Sequence, residues 1–288
     1  MQAINILSID VEEWFHPEAV HHLFEPETWD ELSARVDRNV DILLELFAKR
    51  NATATFFVLG WVARKYPELI KKIVEAGHEI ASHGDNHQMV TKLDADTFRE
   101  DLTNSIKSLE DVSGQKVYGF RAPTFSIVKE TQWAWDIILE LGLEYDSSVF
   151  PIYHDRYGVP DAPRYPYIVA TMDQKTLVEF PMPTLKIFKK NIPFGGGGYL
   201  RIFPLQFTKY AIKKFNKDNQ PVIFYAHPWE FDIGQPRLKL GMIQTWRHYY
   251  NIKNNFHKLD SLLVNSKWIS FKEYLDMNNL SQNLSKND

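Results

Sequence analysis

Three acids within four positions mark where this chain could do chemistry. The stretch Ser8-Ile9-Asp10-Val11-Glu12-Glu13-Trp14-Phe15-His16 sets Asp10, Glu12 and Glu13 at the end of an apolar run from Ile4 to Ile9. A carboxylate near a core loses hydration, so it takes a metal ion or an arginine as partner. The alternative is an acidic surface turn. Further on, His83-Gly84-Asp85-Asn86-His87 spaces two imidazoles four residues apart. On a helix that spacing puts both on one face, and in a turn after a strand they can converge on one ion. Two histidines and a carboxylate are a ligand set for zinc or another divalent metal, with a position left for water. An HxxxH pair alone is a weak signal; the acids at an earlier strand end give it weight. Arg121, two residues before Pro123, either marks a surface turn or pairs with a site carboxylate and orients it. His227, followed by Pro228 and Trp229, either closes a strand or serves as general acid or base near neutrality. His78 stands at a strand start and reads as structural. The four glycines from Gly195 to Gly198 lack a following Lys-Ser or Lys-Thr, so they are not a P-loop. They suit close backbone approach to a substrate or another loop.

The elements that position these residues alternate. Strands are predicted over Ala3 to Ile9, Thr53 to Leu59, His78 to Ser82, Val117 to Phe120, Leu143 to Tyr145, Leu177 to Met182, Pro221 to Ala226 and Trp268 to Ser270. Helices are predicted over Ser33 to Lys49, Pro67 to Ala76, Asp94 to Val112, Glu130 to Leu141, Leu205 to Asn216 and Trp246 to Leu263. Asp94 reads as an N-cap and Gly114 as the stop of its helix. Residues 150–176, with Pro151, Pro160, Pro163 and Pro166, read as an irregular insertion on one rim. The tail from Asn278 is polar and reads as frayed. The fold class is α/β, a distorted (β/α) barrel of about seven strands in one domain over residues 1–288. Asp10, His83, Arg121, Asp146 and His227 each follow directly on a predicted strand. In a parallel barrel those ends open on one face, where active sites are built.

Composition narrows the function classes. The chain has 288 residues, with 33 Lys and Arg against 37 Asp and Glu, a net charge of 33 − 37 = −4. Its basic clusters, Lys189-Lys190 and Lys213-Lys214, are short, so nucleic acid is not an expected partner. There is no cysteine, which excludes disulfides and thiolate metal sites. No run is long and apolar enough for an integral membrane segment. No leader pattern precedes the first strand, so the expected location is cytoplasmic. Oligomeric state is not indicated.

In order along the chain, the motifs SIDVEEW, HGDNH, RAPTF, YDSS and YAHPWEFD resemble those of the polysaccharide deacetylase family, which shares the NodB homology domain. The opening DVEEWFH and the GGGGYLR loop are similar to the subgroup linked to exopolysaccharide biosynthesis. The resemblance implies a NodB-like distorted barrel and metal-dependent removal of acetyl from an N-acetylated carbohydrate. It implies a divalent metal, Zn2+ first, with Co2+, Ni2+ or Fe2+ as alternatives. By motif match Asp10 is the general base, His83 and His87 are metal ligands, Arg121 orients Asp10, and His227 is the general acid. The family's first motif has two adjacent aspartates, the second binding the metal, and Val11 stands in that second place here. Glu12 is therefore expected as the third ligand, with Glu13 as the alternative; on a strand continuing past Asp10, Glu12 shares its side. Thr124 stands where the family's backbone N–H helps hold the oxyanion. Asp146 is expected to tune His227. Trp14, Tyr199 and Trp229 lie beside the motifs and suit sugar stacking, as other aromatics there do, while core packing explains such residues equally well. The rival readings are an allantoinase-like amidohydrolase acting on a small cyclic amide, and a carbohydrate-binding barrel without catalysis.

Overall fold

Strand β1 (Ile4–Val11) is the axis of the molecule. Its apolar run is buried on both faces, as expected of a strand covered by helices on each side. The computed structural model describes residues 3–154, 156–173, 175–264 and 266–278. After β1 come α1 (Val36–Arg50), β2 (Thr55–Val58), α2 (Gly60–Lys65), α3 (Pro67–Glu75), β3 (Glu79–Ser82), α4 (Ala95–Ser113), β4 (Gly119–Phe120), α5 (Ala134–Glu140) and β5 (Tyr145–Asp146). Then follow β6 (Tyr167–Met172), β7 (Lys175–Glu179), β8 (Thr184–Ile187), β9 (Lys190–Pro193), α6 (Gly198–Ile202) and α7 (Leu205–Lys217). The chain continues through β10 (Ile223–Ala226), α8 (Met242–Tyr249), α9 (Ile252–Leu263), β11 (Lys267–Ile269) and α10 (Phe271–Asn278).

The main sheet runs β10-β1-β2-β3-β4-β5-β7-β6, with β11 also pairing β1. Every neighbour is parallel except the β6–β7 pair. Parallel pairing with helical crossovers points the C-terminal strand ends the same way, and there the candidate residues collect. Helix α1 buries Val36, Val40, Leu43, Leu44 and Phe47, the face its spacing predicts. Asp94 accepts a hydrogen bond from the Thr97 N–H and caps α4; Gly114 ends that helix at φ 66°.

The two outermost strands, β10 and β6, do not pair with each other among the described residues. The glycine loop packs along β10 instead. Gly196 bridges Tyr225 in parallel fashion, and the Gly197 N–H donates to the Tyr225 carbonyl. A Cβ on Gly196 would sit 1.8 Å from that carbonyl oxygen, and one on Gly195 2.3 Å from Pro183 Cγ. The loop therefore needs glycine to lie between the continuation of β7 and the face of β10.

Three local expectations are corrected. Residues 150–176 are not irregular throughout: the last proline of the cluster is Pro166, and β6 begins at the next residue, antiparallel to β7. The expected helix from Trp246 to Leu263 is two helices, α8 and α9, because Asn251 takes a left-handed conformation, φ 56°, between them. The β8–β9 hairpin was not anticipated; Phe188 occupies a positive-φ turn position without a glycine or asparagine to announce it. Asn278 ends α10, and the rest of the polar tail lies outside the described residues.

Candidate metal centre and active site

Two strand ends, those of β1 and β3, bring Glu12, His83 and His87 together. Their ligand atoms lie within 4.8 Å of one another, and all three side chains are buried. Glu12 follows β1, whose chain tightens there as the Glu12 N–H donates to the Asp10 carbonyl. Glu12 Oε1 is 3.0 Å from His87 Nε2 and 3.3 Å from His83 Nε2. His83 and His87 sit in a turn after β3, not on a helix. His87 holds a left-handed backbone, φ 55°, which turns its ring back towards His83. Asp85, inside the turn, is fixed by Arg64 and by its own N–H donating to Asp101. Burial pushes the Glu12 carboxyl up, but His227, His87 and the imidazole hydrogen bonds outweigh it and hold Glu12 well below the usual carboxylate range.

The donor set fits a divalent cation. His83 Nδ1 lies 2.8 Å from the Arg121 carbonyl, which can only accept, so Nδ1 carries the proton. Without a second proton, that ring presents the lone pair of Nε2 to Glu12 Oε1, 3.3 Å away. Two acceptors facing each other at buried positions need a positive centre between them. Glu13 takes no part. Its Oε1 accepts from the N–H groups of Arg35 and Val36 and caps the start of α1. Of the two candidate carboxylates, Glu12 is the one that lies with His83 and His87.

Asp10 and Arg121 form the second part. Arg121 is 0 % exposed, and its guanidinium donates to Asp10 Oδ1 at 2.6 Å, to the Ser8 hydroxyl, and to the carbonyl and hydroxyl of Ser147. It also stacks over the Phe57 ring at 4.1 Å. Held by four hydrogen bonds, Arg121 fixes one carboxylate oxygen and leaves Asp10 Oδ2 towards the cleft.

His227, after β10, faces both acids. Its Nε2 is 3.8 Å from Asp10 Oδ2 and 3.8 Å from Glu12 Oε1. Its Nδ1 lies 3.1 Å from Glu230 Oε2, and Glu230 is gripped from behind by Arg201 Nε at 3.0 Å. Burial lowers the affinity of His227 for a proton, but Glu12, Glu230 and Asp10 together raise its pKa to about 9. Burial likewise raises Glu230, and Arg201 and His227 outweigh it and bring it below its ordinary value.

Here one expectation fails. Asp146 does not reach His227. It accepts from Trp135 Nε1 at 2.9 Å and from Ser148, and pairs across β5–β7 with Glu179. Burial, and then the Asp146 charge, push Glu179 well above the carboxylate range. The partner of His227 is Glu230, three residues along in YAHPWEFD. Arg201, inside GGGGYLR, was also missed as its anchor. The spacing of His227 and Glu230 around Pro228 was the available signal, since a residue at that offset reaches back to a turn start.

Of the aromatics, Trp229 lines the cleft and its indole N–H donates to Glu12 Oε2 at 3.3 Å. Thr124 lines it too, in a left-handed turn with Phe125, φ 58° and 52°. Trp14 is buried away from the cleft, donating to the Ser33 carbonyl and packed edge-on to Phe15 and Phe24. Tyr199 packs against Phe150 and Phe203 and does not line the cleft. Tyr157, from the rim insertion, and Tyr225 line it instead. The cleft measures about 160 Å³. A larger hollow of about 340 Å³ beside α7 is lined by residues such as Lys209, Lys213 and Ser261, with no converging acids or imidazoles.

The chain can now be compared with known proteins. Residues 27–145 match the polysaccharide deacetylase family model, and residues 147–276 match a domain of unknown function, DUF3473. Asp10 and Glu12 precede the first match, and His227 falls in the second. A peptidoglycan deacetylase of Helicobacter pylori is 32% identical over 120 residues, 40% of this chain and 40% of that protein. A peptidoglycan-N-acetylglucosamine deacetylase of Bacillus cereus is 30% identical over 93 residues, 32% of this chain and 34% of that protein. The matches therefore span well under half the length of these relatives. Among solved structures, a protein assigned as a polysaccharide deacetylase in Mycobacterium smegmatis superposes with a TM-score of 0.63 at 22% identity, covering 99% of this chain and 91% of that one. An allantoinase superposes with a TM-score of 0.55 at 18% identity, covering 88% and 90%. At these identities the structures share the fold: a mostly parallel sheet surrounded by helices.

Proposed function

We propose that this chain, which belongs to the polysaccharide deacetylase family over residues 27–145, is a metal-dependent hydrolase acting on N-acetylated amino sugars of a polysaccharide or its biosynthetic intermediate. We read residues 1–288 as one catalytic unit, because β10 and β11 pair directly with β1. The observation that carries the reading is the convergence of three buried metal donors with an arginine-held carboxylate on one side and a histidine on the other.

Glu12, His83 and His87 would hold the cation, with zinc the first choice for a His-His-carboxylate set and Co2+, Ni2+ or Fe2+ able to substitute. A divalent cation there supplies Lewis acidity to the acetamide carbonyl and lowers the pKa of the attacking water. Asp10 takes the proton of that water on Oδ2, the oxygen Arg121 leaves unbound. The backbone N–H of Thr124 is the donor assigned to the oxyanion. His227 then gives the proton on Nε2 to the departing amine, while Glu230 accepts from Nδ1 and keeps the ring oriented. Trp229 and Tyr157 line the cleft, but Trp229 is stacked by His227 and His248 and Tyr157 by Phe150 and His154, so they bound the space for the sugar rather than stack on it.

The test uses protein loaded with zinc or cobalt and a panel of N-acetylated oligosaccharides and nucleotide sugars, with acetate release as readout. Asp10→Asn is expected to lower turnover by at least about a hundredfold while metal content, from elemental analysis, stays at the wild-type level. Near wild-type turnover in that variant would remove Asp10 from the base role. Release of product only from a small cyclic amide would move the chain to the allantoinase-like reading. Sugar binding without acetate release would make it a binding module.

A further inference from the structure

Helix α8 carries its apolar side outwards. Met242 is 90 % exposed, Ile243 69 % and Trp246 48 %, and Tyr250 just past the helix is exposed as well. At 3.6 residues per turn these four fall within an arc of about 100°. Trp246 and Tyr250 touch, with ring centroids 4.9 Å apart. The inward side is polar: His248 is buried, bonds Gln235 and stacks on Trp229 at 4.8 Å. A surface helix ordinarily buries its apolar side, so this reversal calls for a partner. Ile233, 65 % exposed, adds to the apolar surface on the segment that leads into α8.

Charge says what kind of partner. The chain as a whole is acidic, yet the 27 residues from Ile233 to Leu259 contain five Lys or Arg and no Asp or Glu. Four of them, Arg237, Lys239, Arg247 and Lys253, are exposed around the apolar helix. Asp232, the acid just before this segment, is covered by Arg35. An exposed stripe of methionine, isoleucine, tryptophan and tyrosine in a segment that carries cations and no acid is the composition that inserts shallowly into a bilayer interface bearing negative headgroups. No helix among the described residues is long and apolar enough to cross a membrane, so the contact would be peripheral.

We propose that α8 and its basic flanks dock the protein on an anionic phospholipid surface. The opposite, inner side of α8 adjoins the cleft, because His248 there stacks on Trp229, which bonds Glu12. The docking inference rests on exposure and charge alone and stands independently of the catalytic reading.

The experiment is co-sedimentation of the full chain with vesicles of phosphatidylcholine, and of phosphatidylcholine with about one-third phosphatidylglycerol. Binding to the anionic vesicles only is expected. The triple variant Met242→Ser, Ile243→Ser, Trp246→Ser should bind at least about tenfold less. Lys239→Glu with Lys253→Glu should weaken binding by roughly fivefold or more per residue, and added salt should do the same to the wild type. All the changed side chains are exposed, and an unchanged thermal unfolding midpoint confirms that the variants are folded. Absence of vesicle binding, equal binding to both vesicle types, or a dimer in sedimentation that the triple variant abolishes would each overturn the proposal. The last result would assign the patch to a second copy of the chain. Because no substrate is used, failure here leaves the deacetylase reading to its own acetate assay.

Discussion

Glu230 is the residue that most changes the site relative to a reading of its motifs. His227 has two acids before it and one behind, and the one behind decides which nitrogen faces the cleft. A general acid must be protonated, so activity falls as pH rises through the pKa of His227. That pKa is raised to about 9 chiefly by Glu12 and Glu230 against the opposing effect of burial. A dication held by Glu12 opposes its charge, so the alkaline limb in the loaded enzyme falls below about 9. Glu230→Gln should move that limb lower still and reduce the plateau rate by about tenfold or more, read from a pH–rate profile with saturating metal. An unmoved limb would separate Glu230 from the acid. Arg121 offers a second test at this scale. It is a fully buried cation that, among the described residues, forms its ion pair with Asp10, so Arg121→Leu strands a buried carboxylate. A loss of about 3–5 kcal/mol in denaturant unfolding is expected, beyond any loss of turnover.

At the scale of elements, the strand ends carried most of what could be read in advance. Asp10, His83, Arg121 and His227 stand at or next to strand C-termini, and parallel pairing alone brings them to one face. The place of Glu12 beside His83 and His87 was legible from its displacement past Val11. What could not be read was lateral placement. Asp146 also ends a strand, but β5 registers it against Glu179, and register is fixed by pairing the sequence does not display. Trp14 and Tyr199 belong to the motifs yet turn into the packing, because a motif does not say which way a ring points. The hairpin β8–β9 and the break at Asn251 depend on single left-handed residues that are not glycine. Two elements give predictions of their own. Gly196→Ala puts a Cβ 1.8 Å from the Tyr225 carbonyl at φ 129°, so it should cost about 2 kcal/mol or more in unfolding free energy. His78 stands just before β3 and accepts the Ala54 N–H on Nδ1, and burial lowers its pKa from 6.5 to about 4. Between those values the unfolded chain binds the proton and the folded chain does not. Stability therefore falls as pH drops through this window, by about 3 kcal/mol in all from this one group. The difference between wild type and His78→Asn, unfolded in urea at about pH 7 and about pH 5, isolates that contribution.

For the whole molecule, β1 is the link between the two family-matched regions. It precedes the first match, pairs β2 on the amino-terminal side, and pairs β10 and β11 from the second. The Arg50–Asp260 pair also ties α1 to α9 across 210 positions of sequence. A fragment of residues 27–145 alone would lose the strand that β2 leans on, and one of residues 147–276 the strand that β10 and β11 share. Neither is expected to fold, and far-UV circular dichroism with limited proteolysis of the two fragments against the full chain would show it. The central claim is that Glu12, His83 and His87 hold one working metal ion per chain. The direct measurement is acetate release from an N-acetylglucosamine oligomer while zinc or cobalt is titrated into metal-stripped protein. Release should begin with the first metal added, saturate near one equivalent per chain, and be absent throughout in Glu12→Gln. Release that is full before any metal is added, or that Glu12→Gln matches, would contradict the account.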